Sequence, residues 1–284
     1  MKFKLITLIF IVSTYYSYSQ TIVKKKYHFN GQLESEVKYV NDLKEGEYKS
    51  YYDNGQLYLI GNYVNGKNDG TWKAYYKNGQ LAEEANYVNG KRDGTWKSYY
   101  ANGQLSKINK YVNGPLYGNF TSYHENGQLS EIGKYVDNKK EGEWKSYHEN
   151  GELSEEGRYM HSYKDGEWKY YYENGQLLKE GRYVHWEKDG EWKVYHENGK
   201  LLREENFVNG EEEGTWKNYH DNGQLYQTEL WSQGKLMDII NCFDNRGNTL
   251  KKGTLINGNG TVHHYNELGE LTETLNYING EEQY

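Results

Sequence analysis

The 284 residues carry 34 Lys and Arg against 41 Asp and Glu, a net charge of −7, which argues against nucleic acid and anionic membrane as partners. Hydrophobic residues make up only 35%, yet 32 Tyr and 8 Trp are present, so the low apolar content is not that of a disordered chain. One Pro, 32 Gly and no sustained helical apolar period after residue 20 exclude a helix-rich fold and suit many strands joined by glycine turns.

Residues 1–19 read as a secretory leader. Lys2 and Lys4 form a positive start, Leu5 to Val12 is an apolar run broken by Thr7, and Ser17-Tyr18-Ser19 supplies small residues for cleavage before Gln20. The run is too short to span a bilayer, which needs roughly 20 residues. The mature chain is expected to be exported to the periplasm, the cell surface or the medium. Loss of Lys2 and Lys4 takes its charge to about −9.

From about Tyr27 to Gln224 one unit recurs with no insertion or deletion. Its form is seen in Asp69-Gly70-Thr71-Trp72-Lys73-Ala74-Tyr75-Tyr76-Lys77-Asn78-Gly79-Gln80-Leu81. The second glycine of that stretch falls at 31, 55, 79, 103, 127, 151, 175, 199 and 223, a step of 24. A fixed period of this length signals a repeat architecture that grows in one direction and has no single core. Residues 20–224 form the regular array, and 225–284 form degenerate units that cap it.

Asn-Gly between alternating residues is a strong hairpin signal and suggests a two-residue type I′ turn at Asn78-Gly79. Pairing outward sets Tyr76 against Leu81, Tyr75 against Ala82, Ala74 against Glu83, Lys73 against Glu84 and Trp72 against Ala85. The same register matches Lys145 with Glu156, Lys169 with Glu180, Lys193 with Glu204, Glu143 with Arg158 and Glu167 with Arg182. Such exposed pairs specify register more than they stabilise.

Alternation then separates two faces. One carries Trp72, Tyr76, Leu81, Ala85 and Tyr87 and is expected to be the packed face. Small residues stand opposite the aromatic position, as Gly157 does to Trp144 and Gly181 to Trp168. The other face carries Lys73, Tyr75, Glu84 and Asn86 and reads as solvated. The connection from Val88 to Gly94 leaves both a two-residue turn at Asn89-Gly90 and a wider loop open. The expected fold is all-β: an elongated antiparallel meander of 24-residue hairpins in a single twisted or curled sheet. At ~10 Å per unit the array is a rod on the order of 90 Å, probed by small-angle scattering.

No catalytic, cofactor or metal site is expected. His124, His148, His196 and His220 replace the second Tyr of the unit and recur about 10 Å apart, too far to share a metal. Glu155-Glu156 and Glu204-Glu205 point to opposite faces. Cys242 is alone and reads as a buried structural thiol. None of residues 27–224 conspicuously breaks the repeat. The aromatics remain, with core packing as their first role. The row Tyr51, Tyr75, Tyr99, Tyr123, Tyr147, Tyr171, Tyr195 and Tyr219 is the candidate partner contact.

The unit Gly-x-Trp-Lys-x-Tyr-Tyr-x-Asn-Gly-Gln-Leu with its closing Tyr-Val-Asn-Gly resembles the MORN-repeat variant of the YwqK family, over roughly residues 27–284. The resemblance implies an all-β repeat protein that binds another protein, and the family's label implies toxin neutralisation. The expected function is therefore that of an exported, non-catalytic, monomeric protein-binding or scaffold module. The alternatives are a cell-wall or glycan binder and a cytosolic antitoxin whose leader is unused.

Overall fold

The computed structural model describes residues 20–283; the expected leader, residues 1–19, lies outside the described residues. No helix occurs among them, and twenty strands, from Thr21–Tyr27 to Lys235–Cys242, form one antiparallel sheet. Each strand pairs with its neighbours in sequence, and the sheet stays open, its first strand bonded only to Leu33–Val40. Three further strands, Gly260–Tyr265, Leu271–Ile278 and Glu281–Gln283, make a separate small sheet.

The hairpin register agrees with the reading from charge. Trp72 pairs with Ala85, Lys73 with Glu84 and Ala74 with Glu83. Lys145 faces Glu156, Lys169 faces Glu180 and Lys193 faces Glu204. The turn itself differs from expectation. Tyr75 pairs with Leu81 rather than Ala82, because the ladder slips one residue after Ala74. The Gly79 amide donates to the Tyr76 carbonyl at 2.9 Å, and the Tyr76 amide donates to the Gln80 carbonyl at 2.8 Å. Gly79 has φ 85° while Asn78 is not left-handed. This is a type I turn closed by a left-handed glycine, a G1-bulge hairpin, with one central positive φ instead of two.

The type I′ turn belongs to the other Asn-Gly. Val88 pairs with Lys91, and Asn89 and Gly90 have φ of 51° and 81°. The connection is therefore the two-residue turn and not a loop. Its strand then bulges beside Asp93-Gly94: Tyr87 pairs with Arg92 and Ala85 with Trp96, so between these rungs one residue, Asn86, opposes three. Pro115 disturbs one such turn, and the strands Leu105–Tyr111 and Gly118–Tyr123 share only the rungs Lys107–Ser122 and Ile108–Thr121. Proline has no amide hydrogen for a ladder, so this is the thinnest seam of the array.

The packed face is aromatic, as expected. Trp72, Phe120, Trp144, Trp168, Trp192 and Trp216 are buried, whereas Tyr48 and Trp96 are half-buried. The glycine contact runs opposite to expectation. Gly181 pairs with Trp168, but the ring lying on it is that of Trp192, from the following unit. A methyl group on Gly181 would sit 2.1 Å from Trp192 Cδ2, and Gly61, Gly133 and Gly157 lie in the same way under Trp72, Trp144 and Trp168. The small residue thus joins unit to unit.

Edge-to-face contacts continue the ladder, as in Phe120–Tyr135–Trp144–Tyr159–Trp168, with centroids 5.0–5.9 Å apart. Each such pair contributes ~0.5–1.5 kcal/mol beyond its burial. The densest packing is C-terminal. Trp192, Phe207 and Trp216 form one cluster, and Leu236, Ile239, Leu255 and Val262 form another where the small sheet meets the large one. Cys242 is buried beside it, and desolvation pushes its thiol up to about 11, which suits an inert packing group.

Candidate functional site

The edge bearing the G1-bulge turns is built from one repeated polar device. Asn150 Oδ1 accepts the Glu152 amide at 2.9 Å, closing its own turn, while its Nδ2 donates to the Glu173 carbonyl of the next unit at 2.7 Å. Asn78, Asn102, Asn126, Asn174 and Asn222 repeat both bonds. The second Tyr of each unit has a parallel task. Tyr76 Oη donates to the Tyr99 carbonyl at 2.7 Å and Tyr100 Oη to the Tyr123 carbonyl at 2.7 Å.

This accounts for His124, His148 and His220, whereas His196 has its Nε2 buried with no partner and its Nδ1 3.2 Å from Asp221. His124 Nε2 lies 2.8 Å from the Tyr147 carbonyl and His148 Nε2 lies 2.9 Å from that of Tyr171. A carbonyl only accepts, so Nε2 carries the hydrogen, and Tyr and His exchange because each ends in a donor at equal reach. No group of His, Cys, Asp and Glu among the described residues is arranged to hold a metal.

The candidate tyrosine row lies on the opposite face from the indole ladder, and all eight members are half-buried. Three are tied down. Tyr171 Oη donates to Glu156 Oε1 and Tyr195 Oη to Glu180 Oε1, each at 2.9 Å, and Tyr219 Oη donates to Glu204 Oε2 at 3.1 Å. Burial first, and then those carboxylates, push Tyr171 and Tyr195 up to about 12. Lys145, 2.9 Å from Glu156, holds that carboxyl below its usual range. For Tyr75, Tyr123 and Tyr147 the equivalent neighbours are Ile60, Ile108 and Ile132, which have no acceptor. The row is thus one alignment with two kinds of environment, Tyr on Glu and Tyr on Ile. At the other end of the strands, next to the I′ turns, runs an exposed aliphatic row that sequence reading overlooked: Val64, Val88, Val112, Met160 and Val208 are each 39–49% exposed.

On the aromatic face the sequence reading missed a row of cations. Arg92 lies 3.8 Å over Trp96, Lys140 4.0 Å over Trp144 and Lys164 3.9 Å over Trp168. These positions follow the I′ turn, and their side chains return over the rings instead of entering solvent. Their charges are answered locally: Lys140 pairs with Glu131 at 2.5 Å and Lys164 with Glu155 at 3.0 Å.

The expectation that nothing breaks the repeat fails at two places. Glu205, followed by Glu229 just past the regular array, stands where most earlier units have Gly or Ala, Val37 and Asn109 being the exceptions, and Glu205 is buried. They join a polar cluster in which Arg203 Nε donates to Asn218 Oδ1 at 2.7 Å, and Asn218 Nδ2 and Trp231 Nε1 each donate to Glu229 at 2.7 Å. The second place is the I′ edge, where His161-Ser162 and His185-Trp186 replace the Asn-Gly of other units. A column-by-column reading of the repeat would have found both.

The model of the MORN repeat variant matches residues 20–41, 44–65, 68–89, 92–113, 116–137, 140–161, 164–185, 188–209 and 212–233. The chain belongs to the MORN repeat variant family. These MORN units end at the I′ turns and enclose the bulge turns, so each carries one complete hairpin. No curated protein matches the chain. Solved structures that do include a crystal structure of TcdB2-TccC3-Cdc42, one of TcdB2-TccC3-TEV, and the Photorhabdus luminescens Tc holotoxin pore. Each is 12% identical, with 92–93% of this chain covered and TM-scores of 0.18–0.20. The chain spans 16% of the length of those chains, and a likeness of that size does not bear on fold or function here.

Proposed function

We propose that this MORN repeat protein is an exported, non-catalytic binding or scaffold module whose partner is another protein. One observation carries the reading. The face opposite the indoles presents a tyrosine row at its bulge-turn end and an exposed aliphatic row, Val64, Val88, Val112, Met160 and Val208, at its I′ end, both repeated with the period of the units. Repeat arrays bind through such extended surfaces, and tyrosine over an aliphatic neighbour suits a protein interface. The polar groups of the other rows are engaged in holding unit to unit, so they explain stability and leave this face as the contact.

A photo-crosslinking residue in place of Val88, introduced in the native cell, tests it. The expected result is an adduct with one discrete protein, weakened when Tyr75, Tyr99 and Tyr123 are changed together to Ala. An adduct with purified cell-wall glycan, or none with any protein, would replace this reading with the glycan one. Fractionation and N-terminal sequencing address export. A start at Gln20 outside the cytoplasm supports it, whereas an intact Met1 in the cytoplasm would favour a toxin-neutralising role of the YwqK kind.

A further inference from the structure

The I′ turns demand left-handed backbone at two successive residues, and most units meet the demand with suitable residue types. Asn65-Gly66, Asn89-Gly90 and Asn209-Gly210 do so with glycine, and Asn41-Asp42 and Asp137-Asn138 with short polar side chains. Two adjacent units do not. His161 and Ser162 have φ of 52° and 74°, and His185 and Trp186 have φ of 47° and 66°. A bulky residue in this region is an outlier that the fold does not need, since glycine serves its neighbours.

These two turns also form an aromatic patch. Trp186 is 59% exposed and Tyr163 55% exposed, and their rings stack with centroids 4.9 Å apart and planes 40° apart. Met160, His161, Asp165 and His185 complete a shallow cavity of about 160 Å³ around them. That volume is below the range for a drug-sized ligand and suits one side chain.

The charge along this edge changes sign at the patch. The residue following the turn is Leu43, Lys67, Lys91, Pro115 and Lys139 in earlier units, then Tyr163, then Glu187 and Glu211, before Lys235, whose charge is paired with Glu281 at 3.2 Å. Among the described residues no cation lies within ion-pair distance of Asp165, Glu187, Asp189, Glu211 or Glu212. Lys164, which contributes its stem to the cavity, turns its ammonium to the aromatic face, where it bonds Glu155 at 3.0 Å and Tyr170 at 2.8 Å. Arg158 and Arg182 stand opposite Asp165 and Asp189 in the ladder without reaching ion-pair distance, while Glu187 and Glu211 face only Val184 and Val208, and an exposed aromatic pair beside such carboxylates is complementary to a cation.

We propose that this edge binds a basic segment of a partner protein, one Arg or Lys side chain lying against the Trp186–Tyr163 pair and further basic residues running toward Glu187 and Glu211. The inference rests on the protein-binding reading above and adds the chemistry of the partner and a second surface. The cation faces the rings and its charge is answered by Asp165 and Glu187. Lys139 on the other side limits the site, because it repels a basic segment that extends past Tyr163 toward it.

The test uses the full chain and three probes: a fluorescent dodecapeptide alternating Arg and Ser, its Glu counterpart, and a chitooligosaccharide. The Arg peptide should bind in a salt-dependent manner and the Glu peptide should not. Trp186→Gly should weaken binding roughly tenfold. That variant is expected to fold, because it restores the residue that the turn prefers. Glu187→Lys with Glu211→Lys should weaken binding comparably and flatten the salt dependence, while Ser162→Gly should leave binding unchanged.

Equal affinity of the parent and Trp186→Gly would overturn the proposal, as would absence of binding by the Arg peptide. Saturable oligosaccharide binding lost in Trp186→Gly would overturn it in favour of a glycan. A protein captured through Val88 and still bound by Trp186→Gly would leave the protein-binding reading standing and remove this one.

Discussion

The two edges of the sheet carry the same dipeptide and treat it differently. At the bulge turns Asn is present in every unit of the array from Asn30 to Asn222, whereas at the I′ turns Asn-Gly gives way to Asn41-Asp42, Asp137-Asn138, His161-Ser162 and His185-Trp186. In all of these units but those of Asn54 and Asn198, the bulge-turn Asn uses both ends of its amide, one for its own turn and one for the next unit, as Asn150 does with Glu152 and Glu173. The I′ edge asks chiefly for a left-handed backbone: the Gly90 amide donates to the Asn68 carbonyl at 2.8 Å by main chain alone, and the side-chain links at this edge vary from unit to unit, as in Lys140 N to Ser162 Oγ and Leu116 N to Asn138 Oδ1, each at 2.9 Å. A demand on conformation alone costs about 1–2 kcal/mol when broken by a residue with a Cβ. A demand on two hydrogen bonds cannot be met by another side chain. Variation therefore collects on the I′ edge, and so does the aromatic patch.

The largest effect is expected between the edges, where glycine lets one unit reach the next. Gly181→Ala places a methyl 2.1 Å from the fully buried Trp192. It should destabilise the C-terminal units by about 3 kcal/mol, read by urea unfolding and by hydrogen exchange of residues 177–207. The chain holds its own control: where Ala85 takes the glycine place, the ring beside it, Trp96, is only half-buried. A loss below 1 kcal/mol would mean that the ring is not what joins these units.

Asn150→Ala and Asn89→Ala compare the edges directly. The first removes two hydrogen bonds and should cost about 2 kcal/mol; the second removes a left-handed preference and should cost about 1 kcal/mol. Equal losses in chemical denaturation would erase the distinction drawn here. Ser162→Gly sharpens it from the other side. It relieves a φ of 74°, worth about 1–2 kcal/mol, and removes the Ser162 Oγ acceptor of the Lys140 amide, worth about 1 kcal/mol, so its unit should gain less than about 1 kcal/mol, with slower exchange of the Tyr163 and Lys164 amides and faster exchange of the Lys140 amide.

The smallest effect concerns alkaline pH. Tyr171 and Tyr195 are held up to about 12 in the folded chain by burial and by Glu156 and Glu180. An unfolded phenol titrates near 10, so the folded state keeps a proton that the unfolded state releases. Their contribution is full below pH 10 and is lost as pH rises toward 12. Tyr171→Phe with Tyr195→Phe should flatten the fall in stability over that interval, measured by denaturant midpoints. An unchanged fall would place its origin in other tyrosines, such as Tyr159 and Tyr170, also pushed up to about 12 by burial.

Local sequence alone determined a good deal. The 24-residue step, the hairpin register and the aromatic face are legible because each depends on neighbours within one unit: strand alternation, a short turn and opposite charges across two strands. Register did not fix ionic partners. Lys193 faces Glu204 but bonds Glu191 at 3.0 Å, and Glu204 is taken by Lys217 at 2.9 Å. Only the tertiary structure decided which Asn-Gly is the I′ turn, which tryptophan covers Gly181, where Lys164 sends its ammonium and why His replaces Tyr. Each of these is a relation between successive units, and a perfect repeat looks the same to its own hairpin as to the next. Distinguishing them takes the twist and spacing of the assembled sheet. The exposed stack of Trp186 on Tyr163 belongs to the same class, since its two rings come from different units and meet only when those units lie side by side.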